Sequence, residues 1–212
     1  YWRGLDKSYH THMAIPFCDK NIIFFNVNYD LCPLVKLSDI KNQIISAIIW
    51  IYKNAKKYNG NNQSITLSGH SAGAHLISLM LGVNWKLYDI PAKIFKGAAL
   101  ISGIYDTNIV LKLKINKEIQ LTEEEANVNN AFKIDPKINI PVILAYGALE
   151  PELWKMQTKN YRDFLKKNNF KTDLIECMND NHFTLIDTIA DKRASLVRKM
   201  INFSLKHEEN NK

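Results

Sequence analysis

Cysteine is scarce in this chain of 212 residues, and the three present, Cys18, Cys32 and Cys177, are odd in number and far apart. That excludes a disulfide framework, and with no C-x-x-C pair or Cys/His cluster it excludes a zinc site of the usual spacing. The pattern fits a reducing compartment, and the expectation is a cytoplasmic protein. No run reaches the roughly 18 uncharged apolar residues that a membrane span requires. The most apolar windows, Ile22 to Val27 and Ile44 to Ile51, are too short and read as core elements. No leader-like segment opens the chain, which starts at Tyr1. Internal repeats are also missing. The net charge of +7 is not concentrated: the densest lysine pairs, Lys56/Lys57 and Lys166/Lys167, sit where helices end, which suits the macrodipole and argues against a nucleic-acid stripe. What remains is a chain 46% hydrophobic and 23% charged, long enough to bury one substantial core.

Only eight glycines are present, and two of them bracket one serine in Gly69-His70-Ser71-Ala72-Gly73. The apolar run Ile65-Thr66-Leu67 precedes this stretch and Ala74 to Leu81 follows it, apolar almost all round. Strand, sharp turn, buried helix is the context in which G-x-S-x-G forms a nucleophile elbow. So tight a turn holds the serine in a strained conformation and asks for small residues two positions to either side. The N–H of Ala72, at the helix start, is then placed to donate to a developing oxyanion.

Taken in order, the chain alternates strands and helices. Ile22 to Val27 reads as a strand covered on both faces, ended by Asn28 to Pro33. Ser38-Asp39 caps a helix of about twenty residues with Ile40, Ile44, Ile45, Ala47, Ile48 and Ile51 on one face. After the elbow come strands at 97–103, 141–146 and 172–176, a helix from about Leu153 to Lys167, and a C-terminal helix from about Leu185 to Leu205. The Lys206 to Lys212 tail reads as frayed. Residues from about 104 to 137 break the rhythm; Thr122 to Ala126 looks like a capped helix start within a small insertion over the sheet edge. The pattern predicts one domain over 1–212, α/β in class, with a mostly parallel sheet and helices on both faces.

Reactive groups in such a sheet collect at the carboxyl ends of the strands. Three loops there carry Ser71, Glu150 and His182, in the chain order of an elbow-type hydrolase. The serine needs a base, the histidine has a pKa near operating pH, and a carboxylate must hold the second ring nitrogen. Glu152, two residues on, is the competing acid, and Asp106 follows another strand. His70 is expected to point away from the hydroxyl, His75 to be a core histidine, and His10, His12 and His207 lie toward the termini.

The octapeptide Gly69 to Leu76 resembles the elbow of the kynurenine formamidase (arylformamidase) family of the α/β-hydrolase superfamily. Ser102-Gly103-Ile104-Tyr105-Asp106, Leu121 to Ala126 and Asn181-His182-Phe183 are similar to further segments of that family, and Tyr1-Trp2-Arg3 resembles the end of its His-Gly-Gly-Tyr-Trp oxyanion motif. The resemblance implies an α/β-hydrolase fold, N-terminally truncated. It also implies hydrolysis of an aryl formamide, N-formyl-L-kynurenine, to kynurenine and formate, with no metal or organic cofactor. Trp2, Tyr105 and Phe183 are candidate walls for the planar substrate. Two departures stand out. The family usually has aspartate where Glu150 stands, and the glycine donors of the oxyanion motif would precede Tyr1; losing one such donor costs about 100- to 1,000-fold in rate. Alternatives left open are a carboxylesterase of broad acyl range and a truncated, inactive relative. Small-molecule substrates are expected rather than nucleic acid or membrane, and a homodimer is one option the sequence leaves open.

Overall fold

The computed structural model describes residues 1–205; the predicted frayed tail and His207 lie outside them. A 3-10 turn over Lys7–Ala14 runs into α1 (Ile15–Cys18). The long helix α2 (Leu37–Asn54) follows, then β1 (Ile65–His70) and α3 (Ala72–Met80). After β2 (Phe95–Ile101) come the short helices α4 (Asn108–Leu111), α5 (Asn116–Ile119) and α6 (Glu123–Val128). The chain closes with β3 (Val142–Gly147), α7 (Glu152–Lys167), β4 (Thr172–Cys177), α8 (Thr184–Ala190) and α9 (Ser195–Leu205). Among the described residues four strands form one sheet in the order β1-β2-β3-β4, every pair parallel.

The continuous apolar runs are explained by burial on both faces. Ala98 and Leu100 of β2 and Val142 and Leu144 of β3 point into a core shared with α2, α3 and α7. The intervening Ala99, Ile101, Ile143 and Ala145 point the other way, against Phe17, Leu185, Ile189, Leu196, Val197 and Met200. The face read on α2 is buried through Ile40, Ile44, Ile45 and Ile48. Its first turn is held by Asp39, whose carboxylate accepts from the Lys36 N–H at 2.9 Å, so the cap lies two residues before the predicted Ser38. No helix among the described residues is long and apolar enough to cross a membrane.

Two expectations need correction. Ile22 to Val27 is not a strand. Its side chains still alternate between layers, Phe24 on Phe17 and Phe25 on Trp50 and Tyr58. Yet among the described residues no strand offers it a ladder at the ~4.8 Å that pairing requires. Local polar groups are met by side chains instead: Asn26 donates to the Lys7 carbonyl and the Asp30 N–H to Gln43. The segment is correspondingly open, with Ile23 and Val27 each 37% exposed. The C-terminal helix is two helices, because Asp191 turns the chain: its carboxylate accepts from the Arg193 backbone N–H at 2.9 Å and from the Arg193 guanidinium. The segment from 104 to 137 is three short helices and a 3-10 turn. Its Ile104, Tyr105, Val110, Ile119, Leu121, Ala126 and Ala131 are built into the main core. The hydroxyl of Thr122 caps α6 by accepting from the Glu125 N–H.

His75, on α3, is fully buried, with its Nε2–H donating to the Asn129 carbonyl at 2.7 Å and its ring edge-on to Trp2. Burial lowers its pKa to about 4. The unfolded chain therefore binds a proton near pH 6.5 that the folded chain refuses. This contribution to stability is complete above about pH 6.5 and is lost as pH falls toward 4, with a slope approaching ~1.4 kcal/mol per pH unit. Urea unfolding followed between pH 7.5 and 4 is expected to show a falling midpoint below 6.5. His75→Phe is expected to be less stable at pH 7 but to show a shallower fall.

Candidate active site

The site grows from the ends of β1, β2, β3 and β4. At the end of β1 the Ser71 N–H donates to the Ile101 carbonyl at 2.8 Å, extending the ladder by one residue. The chain then reverses into α3 with Ser71 at φ 55°, ψ −117°, a conformation L-residues avoid. The turn is so close that a Cβ on Gly69 would lie 2.3 Å from the Gly73 carbonyl carbon, whereas a Cβ on Gly73 would meet nothing within 4 Å. Only the first of the two glycines is demanded by space. At the start of α3 the N–H groups have no intrahelical partner, and that of Ala72 is the first.

The structure brings Ser71, His182 and Glu150 together. The Ser71 hydroxyl donates to His182 Nε2 at 2.9 Å, and His182 Nδ1–H donates to Glu150 Oε1 at 2.6 Å. An acceptor carboxylate on Nδ1 sets the tautomer that leaves Nε2 free to accept. Glu150 is buried, and its second oxygen accepts from the Ser102 hydroxyl at 2.9 Å and the Gly147 N–H at 3.1 Å. Ser102, at the end of β2, also has a positive φ of 48°. The histidine loop lies directly on the end of β3: a Cβ on Gly147 would stand 2.3 Å from the Asp180 carbonyl oxygen. Glu152 is elsewhere, exposed on the first turn of α7 and paired with Lys155 at 2.9 Å and Lys159 at 3.8 Å. The Lys155 ammonium holds its carboxyl below the usual range. Asp106 instead accepts from the Asn130 side chain.

The remaining candidates divide. Phe183 is 76% exposed, its ring edge-on to His182 at 5.6 Å. Trp2 and Tyr105 are fully buried, which corrects their reading as substrate walls. Trp2 packs on His75, and Tyr105 stacks on Tyr161 at 4.2 Å with the rings 7° from parallel. Large flat side chains fill cores as readily as they line pockets, and composition alone does not separate the two uses. His70 lies closer to the site than expected, its ring centroid 4.7 Å from that of His182, and burial pushes its pKa down to about 3. It therefore stands beside the relay as a neutral ring. Two neighbours were missed. Ser102, which the sequence marks only as a strand end, donates to the acid, and Trp154 lies edge-on to His182 at 5.2 Å. Its place in the first turn of the helix that follows the acid is the signal the sequence offers. Among the described residues no group of three or more His, Cys, Asp or Glu side chains could hold a metal ion.

The asymmetry of the turn is measurable. Gly69→Ala is expected to lower the unfolding temperature by several degrees, since backbone must move to admit the methyl group. Gly73→Ala, at the second position of a helix, is expected to be neutral or to stabilise by up to ~1 kcal/mol. Equal destabilisation of both variants in thermal unfolding would overturn this account of the turn.

Comparison with known proteins fits this geometry. The chain is 29% identical to a kynurenine formamidase of Salmo salar over 197 residues, covering 90% of this chain and 65% of that one. It is 26% identical to a kynurenine formamidase of Danio rerio, covering 95% and 69% respectively. The chain thus spans about two thirds of the length of these relatives. Among solved structures, esterase B of Lactobacillus rhamnosis superposes with a TM-score of 0.74 at 13% identity, over 99% of this chain and 75% of that one. That likeness establishes the α/β-hydrolase fold. The BD-FAE family model matches residues 2–160, a stretch that holds the elbow, the first three strands and the acid-bearing turn; the chain belongs to the BD-FAE family.

Proposed function

We propose that this chain is a serine hydrolase acting on N-formyl-L-kynurenine, releasing L-kynurenine and formate. The single observation that carries the hydrolase reading is the unbroken relay from the Ser71 hydroxyl through His182 to Glu150. Similarity to proteins named kynurenine formamidase over nine tenths of the chain supports the choice of substrate.

Each side chain has one task. Ser71 Oγ attacks the formyl carbon as His182 Nε2 takes its proton, and Glu150 stabilises the imidazolium that forms. The carbonyl oxygen, now negative, is met by the Ala72 N–H and the positive end of α3. The C–N bond breaks, and His182 hands its proton to the departing aniline nitrogen. Water then attacks the formyl ester on Ser71, with the same imidazole as base, and formate leaves. None of these steps requires a metal or organic cofactor. The partner is a small aryl formamide, and the free cysteines among the described residues accord with a cytoplasmic setting. A carboxylesterase would use the same relay, so the acyl group and leaving group decide between the two.

The test is turnover of N-formylkynurenine beside that of 4-nitrophenyl acetate. Ser71→Ala is expected to abolish activity, and Glu150→Gln to lower kcat about 10⁴-fold. Glu152→Gln is expected to change it by less than about threefold, because its partners are surface lysines. Turnover of the ester alone would replace the formamidase by an esterase. Turnover of neither substrate would remove the hydrolase reading.

A further inference from the structure

The relay stands beside a cavity that it does not use. About 110 Å³ of space lies between α7 and the helices of the 104–137 segment, lined by Tyr1, Ile104, Ile109, Leu113, Trp154 and Gln157 among others. Trp154 is the shared wall, with one contact to the cavity and another to His182, whose ring centroid is 5.2 Å away. Tyr1 packs edge-on to Trp154 at 5.8 Å and extends that wall. The lining is aliphatic and aromatic apart from Gln157, a polar side chain 7% exposed.

Gln157 has a defined orientation. One of its amide atoms faces two backbone donors, the Tyr105 N–H at 3.1 Å and the Asp106 N–H at 3.0 Å. Two donors on one atom require that atom to be the oxygen. The NH₂ group is then left without a protein partner among the described residues, on a residue that borders the cavity. The Trp154 indole N–H is buried and unpartnered. Unpartnered donors at the wall of an otherwise apolar pocket mark the place of a ligand's acceptor.

We propose that this cavity is the specificity pocket of the site, that it takes a single aromatic ring, and that the Gln157 NH₂ reads a carbonyl acceptor carried on that ring. The volume approaches the ~150 Å³ of an engineered apolar cavity that binds benzene, which admits one ring and turns away fused rings. The inference rests on the hydrolase reading and sharpens it. The formamide would stand at Ser71 with its ring against Trp154, and the ketone beside the formamide on the ring would accept from Gln157. The residue that chooses the substrate thus lies on α7, two turns beyond the acid.

The experiment compares kcat/KM for formanilide, 2-acetylformanilide and ethyl formate. Gln157→Glu keeps an oxygen toward the Tyr105 and Asp106 N–H groups and replaces the donor by an acceptor. It is expected to lower the ratio of 2-acetylformanilide to formanilide about tenfold, mainly through KM. Leu113→Trp fills the cavity and is expected to lower the ratio of formanilide to ethyl formate by a similar factor. If both ratios stay at their parent values, the pocket assignment is wrong. If the parent chain turns over none of the three in a Ser71-dependent way, the hydrolase reading fails instead. The pocket is then decided by binding alone: 2-aminoacetophenone is expected to quench the fluorescence of Ser71→Ala, and the quench to vanish on adding Trp154→Phe. Absence of any quench overturns the pocket as well.

Discussion

A buried carboxylate is tolerated only when its oxygens are met by donors, and the fold around Glu150 is arranged to meet them. One oxygen takes the Ser102 hydroxyl from the end of β2 and the Gly147 N–H from the end of β3; the other takes His182 from the loop after β4. Three successive crossovers of the sheet therefore converge on one side chain. Glutamate has the reach for this because the turn from Gly147 to Glu150 is short and closes on itself, with the Glu150 N–H donating to the Gly147 carbonyl.

The parts of the fold visible in the sequence are those where local and global demands agree. Strand β3, and β2 apart from Lys96 near its start, are apolar because helices cover both faces. The elbow is visible because strand, glycine-flanked serine and buried helix each leave their own mark. Ile22 to Val27 carries the same apolar mark with no ladder, since hydrophobicity reports covering and says nothing of a pairing partner. The C-terminal helix reads as continuous because Leu185, Ile189, Leu196 and Met200 keep an almost unbroken helical period, and only the Asp191–Arg193 turn divides them. The choice between Glu150 and Glu152 could not be made from spacing. It depends on which carboxylate the turn directs inward, and Glu152 is held outward by lysines of its own helix.

Two of the strained backbone positions lie where the chemistry would occur. Ser71 and Ser102 sit one residue beyond the ends of neighbouring strands, both with positive φ. Each such residue costs on the order of 1–3 kcal/mol, met by the packing of the sheet beneath. The backbone bonds from the Ser71 N–H to Ile101 and from the Ser102 N–H to Ala145 tie both turns to the ladder. The positions of Ser71 and Ser102 are thus properties of the sheet, while the proposed specificity pocket is lined by α7 and the segment that follows β2.

The contact between Gly147 and the Asp180 carbonyl has a mechanical meaning. No side chain separates the histidine loop from the strand it rests on, so the interface is main chain on main chain. The imidazole is seated through this contact, whereas the carboxylate is steadied by Ser102 of the neighbouring strand as well. A side chain grown at that glycine would therefore lift the imidazole from serine and carboxylate alike.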